Sequence, residues 1–300
     1  MLEEVRRFLA FVLLLSAVSV LFSHLRSLDR RFLFADSGIS EEDGRDFSGG
    51  RNFIDSYLLF WKGILTLDLG KTESGDPVLS HLGARFLPTL HLAVFSIFWS
   101  VIFAVGLSFV VLFLDSSWLR VFLDASSRLV LSTPVFVAAV ILLTVFFFIL
   151  GVLPPGGYES GETVYVILPG IALGSRVWAR LFRFSLSMAE AESDSAYVRV
   201  LKARGYSELR ILFRHVLPKI LPVLLVLIFL DFSSLLSGAI VVEEIFFFPG
   251  IGKSMYHAIR TMDVSLLSAL LFYSGLIFYI LSRISEKFRD SLLGWETQAA

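Results

Sequence analysis

Long apolar runs with almost no charge alternate along this chain with short segments that hold most of the lysine, arginine, aspartate and glutamate. A helix needs about 20 mostly apolar residues to cross a hydrocarbon layer of about 30 Å, where only an internally bonded backbone is tolerated. Six stretches fit that pattern: 8–23, 86–114, a span within 129–158, 163–175, 220–242 and 264–282. The fourth reaches full length only if Arg176 and Arg180 stretch toward the head groups. Pro134, Pro169 and Pro222 are compatible with spanning helices, because neighbouring helices can re-satisfy the freed carbonyls. Between the first two runs, apolar residues at 53, 54, 57, 58, 61, 64 and 65 recur at helical spacing. They predict an amphipathic helix on the outer membrane surface or against the bundle, with Trp61 suited to the interface.

The pattern divides the chain into an N-terminal anchor (1–24), an extracytoplasmic segment with the amphipathic helix (25–85) and a membrane core (86–300). The first run is followed by Ser23, His24 and Leu25 rather than a small-x-small cleavage site, so it is read as a retained span. Short loops set the orientation. With the N-terminus inside, sixteen of the 26 lysines and arginines fall on inner segments and only Lys253 and Arg260 on short outer loops. The expected fold is an all-α polytopic membrane protein of about six spans, N-in and C-in.

Composition agrees. The chain has 300 residues, 56% hydrophobic and 18% charged, against about 45–50% and about 25% in soluble domains. A net charge of −1 carries no basic footprint for nucleic acid. The absence of cysteine removes disulfides, thiolate metal sites and cysteine nucleophiles. His24, His81, His91, His215 and His257 show no metal-ligand spacing, and no Ser/His or Asp/Asp signature of an intramembrane hydrolase is visible.

The most informative segment lies on the inner side, from Ala196 to Pro218. Gly205 can take a positive φ and turn the chain sharply between two short helical pieces. Basic residues precede the turn, and Leu209, Ile211, Leu212 and Phe213 follow it. The residues alone allow a docking knob or an ordinary positive-inside loop.

Four stretches in order narrow this. The segment carries Tyr197-Val198-Arg199, Ala203-Arg204-Gly205, Arg214-His215 and Pro218. It is preceded by Leu67-Asp68-Leu69-Gly70 with Arg85-Phe86-Leu87-Pro88-Thr89-Leu90, and by Leu168-Pro169 with Ala179-Arg180-Leu181-Phe182-Arg183. It is followed by Ser237-Gly238-Ala239-Ile240-Val241-Val242-Glu243, Phe246 and Pro249-Gly250-Ile251-Gly252. Over about residues 65 to 285 the chain resembles the inner-membrane permeases of ABC importers of the oligopeptide/dipeptide/nickel family.

That resemblance implies a bacterial or archaeal plasma or inner-membrane permease with no enzymatic activity and no cofactor, ATP being bound by its partners. The implied partners are two cytoplasmic ATPases, a second related permease, an extracytoplasmic solute-binding protein and membrane lipid, with no nucleic acid. It implies ATPase coupling through Tyr197, Arg199, Lys202, Arg204, Gly205, Arg214, His215 and Pro218. It also implies an outer loop or translocation path that includes Glu243, Phe246, Pro249, Gly250 and Gly252. The cargo is expected to be a peptide or similar small solute. The rival class is a secondary transporter or channel that works without ATPases.

Several positions depart from that family's usual pattern. An acidic run of Glu190, Glu192 and Asp194 precedes Ala196, which stands where aspartate is common. Leu67 and Lys71 replace a frequent glycine and serine. Gly250-Ile251-Gly252-Lys253-Ser254 mimics the end of a phosphate-binding loop, but Phe247 stands where such a loop requires glycine. Asp231, on an otherwise apolar run, must face water, the bundle or a partner. It is read either as a path residue attracting cationic groups or as a helix-to-helix bond. Arg176, Arg180 and Arg183 share one helical face, with head-group snorkelling the default reading.

Overall fold

The computed structural model describes the backbone of residues 2–37 and 52–298 and the side chains of 3–25 and 52–291. Residues 38–51 of the expected extracytoplasmic segment therefore lie outside the described residues. Apart from one isolated bridge between Lys71 and Pro77, the described residues form helices and turns.

Helix α1 (Leu2–Ser37) supplies the first span. Helix α2 (Phe53–Thr66) is the amphipathic helix expected from its spacing. Its apolar face divides. Tyr57 hydrogen-bonds Ser16 of α1 at 3.2 Å, and Phe60 meets Phe272 edge-on, while Ile54, Leu58 and Leu65 stay exposed to the surroundings of the bundle. Helix α3 (Val78–Leu114) is the second span.

The third span is not the single straight helix the apolar run predicts. Helix α4 (Ser117–Ser132) ends at Thr133, and Pro134 begins α5 (Val135–Leu143), which continues through a π-helical turn to Ile149. The two halves meet at 103°. Proline cannot donate an amide hydrogen bond and biases Thr133 toward extended backbone, so the helix stops there. Counted as one, this bent pair brings the candidate spans to six.

Helix α6 (Val164–Ser193) is the fourth span and the centre of the bundle, sharing its most extensive contact with α3. Glycines and serines allow this approach: a Cβ on Gly174 would lie 2.6 Å from Ser100 Oγ. Ser100 Oγ donates to Gly174 O at 2.8 Å, Trp99 Nε1 donates to Gly170 O at 3.1 Å, and the Ser108 and Ser185 hydroxyls pair at 2.8 Å. Small residues and interhelical hydrogen bonds hold membrane helices together where the hydrophobic effect no longer acts, at about 0.6 kcal/mol per bond.

Below α6 lie α7 (Ala196–Ala203) and α8 (Glu208–Ile211), the latter running through a π-helical turn (Leu212–Val216) into α9 (Leu217–Leu236). The fifth span therefore ends at Leu236 rather than Val242. Val242 belongs to a separate short helix, α10 (Ile240–Ile245), followed by α11 (Ile251–Thr261). The long helix α12 (Val264–Gln298) is the sixth span and packs on α9 and α1.

Candidate functional site

Three groups of predicted residues fall at three depths along α6 and α9. The inner group is a foot. Glycine at 205 adopts φ +81°, so the chain reverses between α7 and α8, and a Cβ there would meet nothing within 4 Å. The buried side of the foot consists of Val198, Ile211, Leu212 and Val216, packed with Phe109 of α3, Ala189 of α6 and Ile220 and Leu224 of α9. Its outer side exposes Arg199, Lys202, Arg204, Gly205, Leu209, Arg210 and Phe213. Lys202 and Glu208 form a 3.5 Å pair across the turn.

Tyr197 and His215 of the same segment face the bundle. Tyr197 packs under the Lys219 ammonium, which lies 4.0 Å from its ring centre, and Lys219 pairs with Glu192 at 2.8 Å. Burial, and then the Glu192 carboxylate, push the Tyr197 phenol up. His215 sets its ring edge-on to Tyr206, 6.0 Å between centroids, with Nε2 buried. Arg214 is exposed, and Pro218 is the second residue of α9, directly after the π-helical turn. The unusual acidic run has partners here: Glu190 with Arg120 at 2.7 Å, and Glu192 with Lys219.

At mid-depth, Asp231 forms an ion pair with Arg180 between α9 and α6. Asp231 is 6% exposed, whereas the Arg180 side chain is 44% exposed. The charge of Asp231 is thus cancelled within the chain, which selects the helix-to-helix reading over the one that attracts cations. Replacing Asp231 with alanine should leave Arg180 uncompensated and lower the stability of the detergent-purified protein by about 1–3 kcal/mol. Adding Arg180→Gln should restore part of that loss. An unchanged melting midpoint for the single variant would remove the pair as a structural element.

The outer group converges on Glu243, which is fully buried. Its Oε1 accepts from Thr89 Oγ1 at 3.3 Å and from Ala239 N at 3.4 Å, and its Oε2 accepts from Lys253 N at 2.9 Å. The Thr89 hydroxyl accepts from Ile251 N at 2.9 Å. The Ile251 and Lys253 amides belong to the first turn of α11, whose positive end favours a carboxylate. The phosphate-loop look-alike at Gly250–Ser254 is therefore a real helix N-terminus whose anion is supplied by the chain itself. A Cβ on Gly250 would collide with the Glu243 carboxylate, and one on Gly252 would lie 2.6 Å from Ile240 N. Phe246 and Phe248 are fully buried against Leu92, Val166 and Leu168, while Phe247 is 69% exposed and Pro249 half-buried.

Thr89 and Arg180 completed these sites, and both stood inside quoted motifs without any local sign of their partners. Thr89 is 154 positions from Glu243, so only the packing of α3 on α10 reveals the bond.

Comparison with known proteins gives a consistent result. Residues 97–288 match the family model described as binding-protein-dependent transport system inner membrane component. The glutathione transport system permease protein GsiC of Escherichia coli O6:H1 is 30% identical over 237 residues, 77% of this chain and 76% of that protein. The same-named protein of Pectobacterium atrosepticum is 29% identical over 283 residues, 92% of this chain and 91% of the relative. A solved structure of the inward-facing MetNI methionine ABC transporter superimposes with a TM-score of 0.59 at 15% identity, over 70% of this chain and 95% of that one, a likeness of fold.

Proposed function

We infer the working of this protein from one premise: the chain belongs to the family of binding-protein-dependent transport system inner membrane components. It is the multi-pass inner-membrane permease subunit of a bacterial ABC importer, it is not itself catalytic, and ATP is bound by the ATPase partner. Its partners include that ATPase and a solute-binding protein.

Beyond that, we propose that the foot from Ala196 to Val216 seats on the ATPase and passes its motion to the spans. The supporting observation is the buried cluster that ties Val198, Ile211, Leu212 and Val216 to α3, α6 and α9 together. A foot anchored to three helices moves them as one body when pushed, whereas a free positive-inside loop would absorb the push. In this proposal Arg199, Lys202, Arg204 and Gly205 meet the ATPase, and Tyr197, His215 and Pro218 hold the foot to α9. Glu243, Phe246, Pro249, Gly250 and Gly252 shape the outer rim where the binding protein delivers cargo. A second permease, one copy of this chain or a related one, completes the path.

For cargo, we propose small peptides of the glutathione type, on the strength of relatives named as glutathione permeases. The test is uptake of labelled glutathione by the complex of permeases and ATPases in proteoliposomes containing ATP, with the binding protein added outside. Uptake should require ATP and fall to background without the ATPase. Uptake driven by an ion gradient with no ATPase present would support the secondary-carrier reading and overturn this one.

A further inference from the structure

Helix α6 carries cations where a lipid-facing helix carries aliphatic side chains. Between Tyr165 and Arg183 its exposed residues are Arg176, Arg180 and Arg183. On α3, by contrast, Phe98, Ile102 and Phe103 are each more than half exposed, which suits contact with lipid tails. Phe184, one turn below Arg180, is 47% exposed and ends the stretch; above it, outward side chains that are guanidinium groups are not built for hydrocarbon.

Depth sharpens the point. Tyr165 is tied to Glu159 of the outer loop, and Glu192 to Lys219 near the foot. At about 1.5 Å per residue these two markers lie roughly 40 Å apart, close to the full thickness of a bilayer with its head groups, about 40–45 Å. Arg176 and Arg180 then lie roughly 16 and 22 Å below Tyr165, on either side of the midplane. Snorkelling serves residues near helix ends, so the sequence-based expectation for these two arginines does not hold.

The neighbouring acids do not neutralise the stripe. Asp231 of α9 takes Arg180. Asp124 of α4 approaches Arg183 only to 4.0 Å while holding Arg128 at 2.7 Å. Glu190 is committed to Arg120 and Glu192 to Lys219. Arg176 forms no ion pair among the described residues. A lone arginine at the helix centre is costly in lipid, so this face must border water or an acid of another subunit.

We propose that the Arg176 face of α6 lines the aqueous path and makes it electropositive near the midplane, so that it draws anionic cargo, carboxylate-bearing peptides above all. The assignment rests on the importer reading, because the face is a path only if cargo moves along it. It reverses the sign first suggested by Asp231: that carboxylate positions Arg180, and Arg176 supplies the unbalanced charge. A low-dielectric wall around a charged cleft concentrates counter-ions about tenfold or more.

The natural chain has no cysteine, so single thiols report cleanly. Arg176→Cys tests access, and Ser175→Cys, with Arg176 intact beside it, tests the field. Both are made in the membrane-embedded complex and reacted with an anionic sulfonate-bearing and a cationic trimethylammonium-bearing methanethiosulfonate, with rates normalised to a free thiol. Arg176→Cys should be modified from water. Ser175→Cys should react about tenfold faster with the anionic reagent, and adding Arg176→Glu should abolish or invert that preference. Failure of both cysteines to react would mean the face is sealed by a partner, which overturns the proposal. So would equal rates for the two reagents, or a preference that ignores Arg176→Glu. None of these outcomes depends on ATP, so failure here leaves the ATPase test of the importer reading intact, and failure there leaves the sign of this field measured.

Discussion

Replacing Glu243 with alanine should unfold the outer rim, lowering the stability of the purified permease by about 3–5 kcal/mol. The carboxylate is fully buried and accepts from Thr89 Oγ1, Ala239 N and Lys253 N. Its removal leaves those donors without partners at about 1–3 kcal/mol each, partly relieved by water that enters the space. The backbone bond from Phe248 N to Glu243 O at 2.8 Å survives the substitution, so the loss is that of the carboxylate alone. Thermal unfolding in detergent measures the loss; a midpoint equal to wild type would show that the rim holds without its buried anion. The conservative Glu243→Gln keeps the shape but turns an amide donor toward groups that also donate, so it should fall between.

The same residue predicts a pH effect. Burial pushes the Glu243 carboxyl above its usual 4.5, against the hydrogen bonds that pull it down. The folded protein therefore binds this proton at higher pH than the unfolded chain does. The contribution is fully present below 4.5 and is lost as pH rises through the raised folded value. Wild type should accordingly gain stability relative to Glu243→Gln as the pH falls toward 4.5, and parallel curves would contradict the assignment.

Replacing Gly205 with valine should cut ATP-driven transport at least tenfold while leaving the bundle folded. At φ +81° a β-branched residue is a strained outlier, costing about 1–3 kcal/mol or forcing the turn open. Nothing lies within 4 Å of the added Cβ, so the damage is to the shape of the exposed turn and not to the core. Arg204 and Lys202 then no longer present the same surface to the ATPase contact proposed above. The measurements are ATPase co-purification, transport and melting midpoint, taken together. Full transport by the valine variant would show that the turn carries no force, and loss of membrane insertion would make it a folding element instead.

How much of this was visible beforehand depends on the distance between partners along the chain. The foot was legible because its signal is local: a glycine between two short helical patterns, with cations before it and apolar residues after it. The amphipathic helix α2 was legible for the same reason, although α1 and α12 take only part of its apolar face. The bend between α4 and α5 was overlooked although Pro134 marks it, because a charge-free run looks continuous to a hydropathy reading. The end of the fifth span was misplaced because 237–242 is as apolar as the helix before it, and only Gly238 breaks it.

By itself, the order of apolar and charged residues determined that this chain crosses a membrane about six times and where the foot turns at Gly205. Those properties are sums over neighbouring residues, and the bilayer reads them one segment at a time. Tertiary structure alone decided that Asp231 belongs to Arg180, that Glu243 caps α11 through Thr89 and the Gly250–Lys253 turn, and that Arg176 is left over. Each of these joins groups on different helices. In a medium of low dielectric such pairings set the charge that a face presents, and no segment contains that charge on its own.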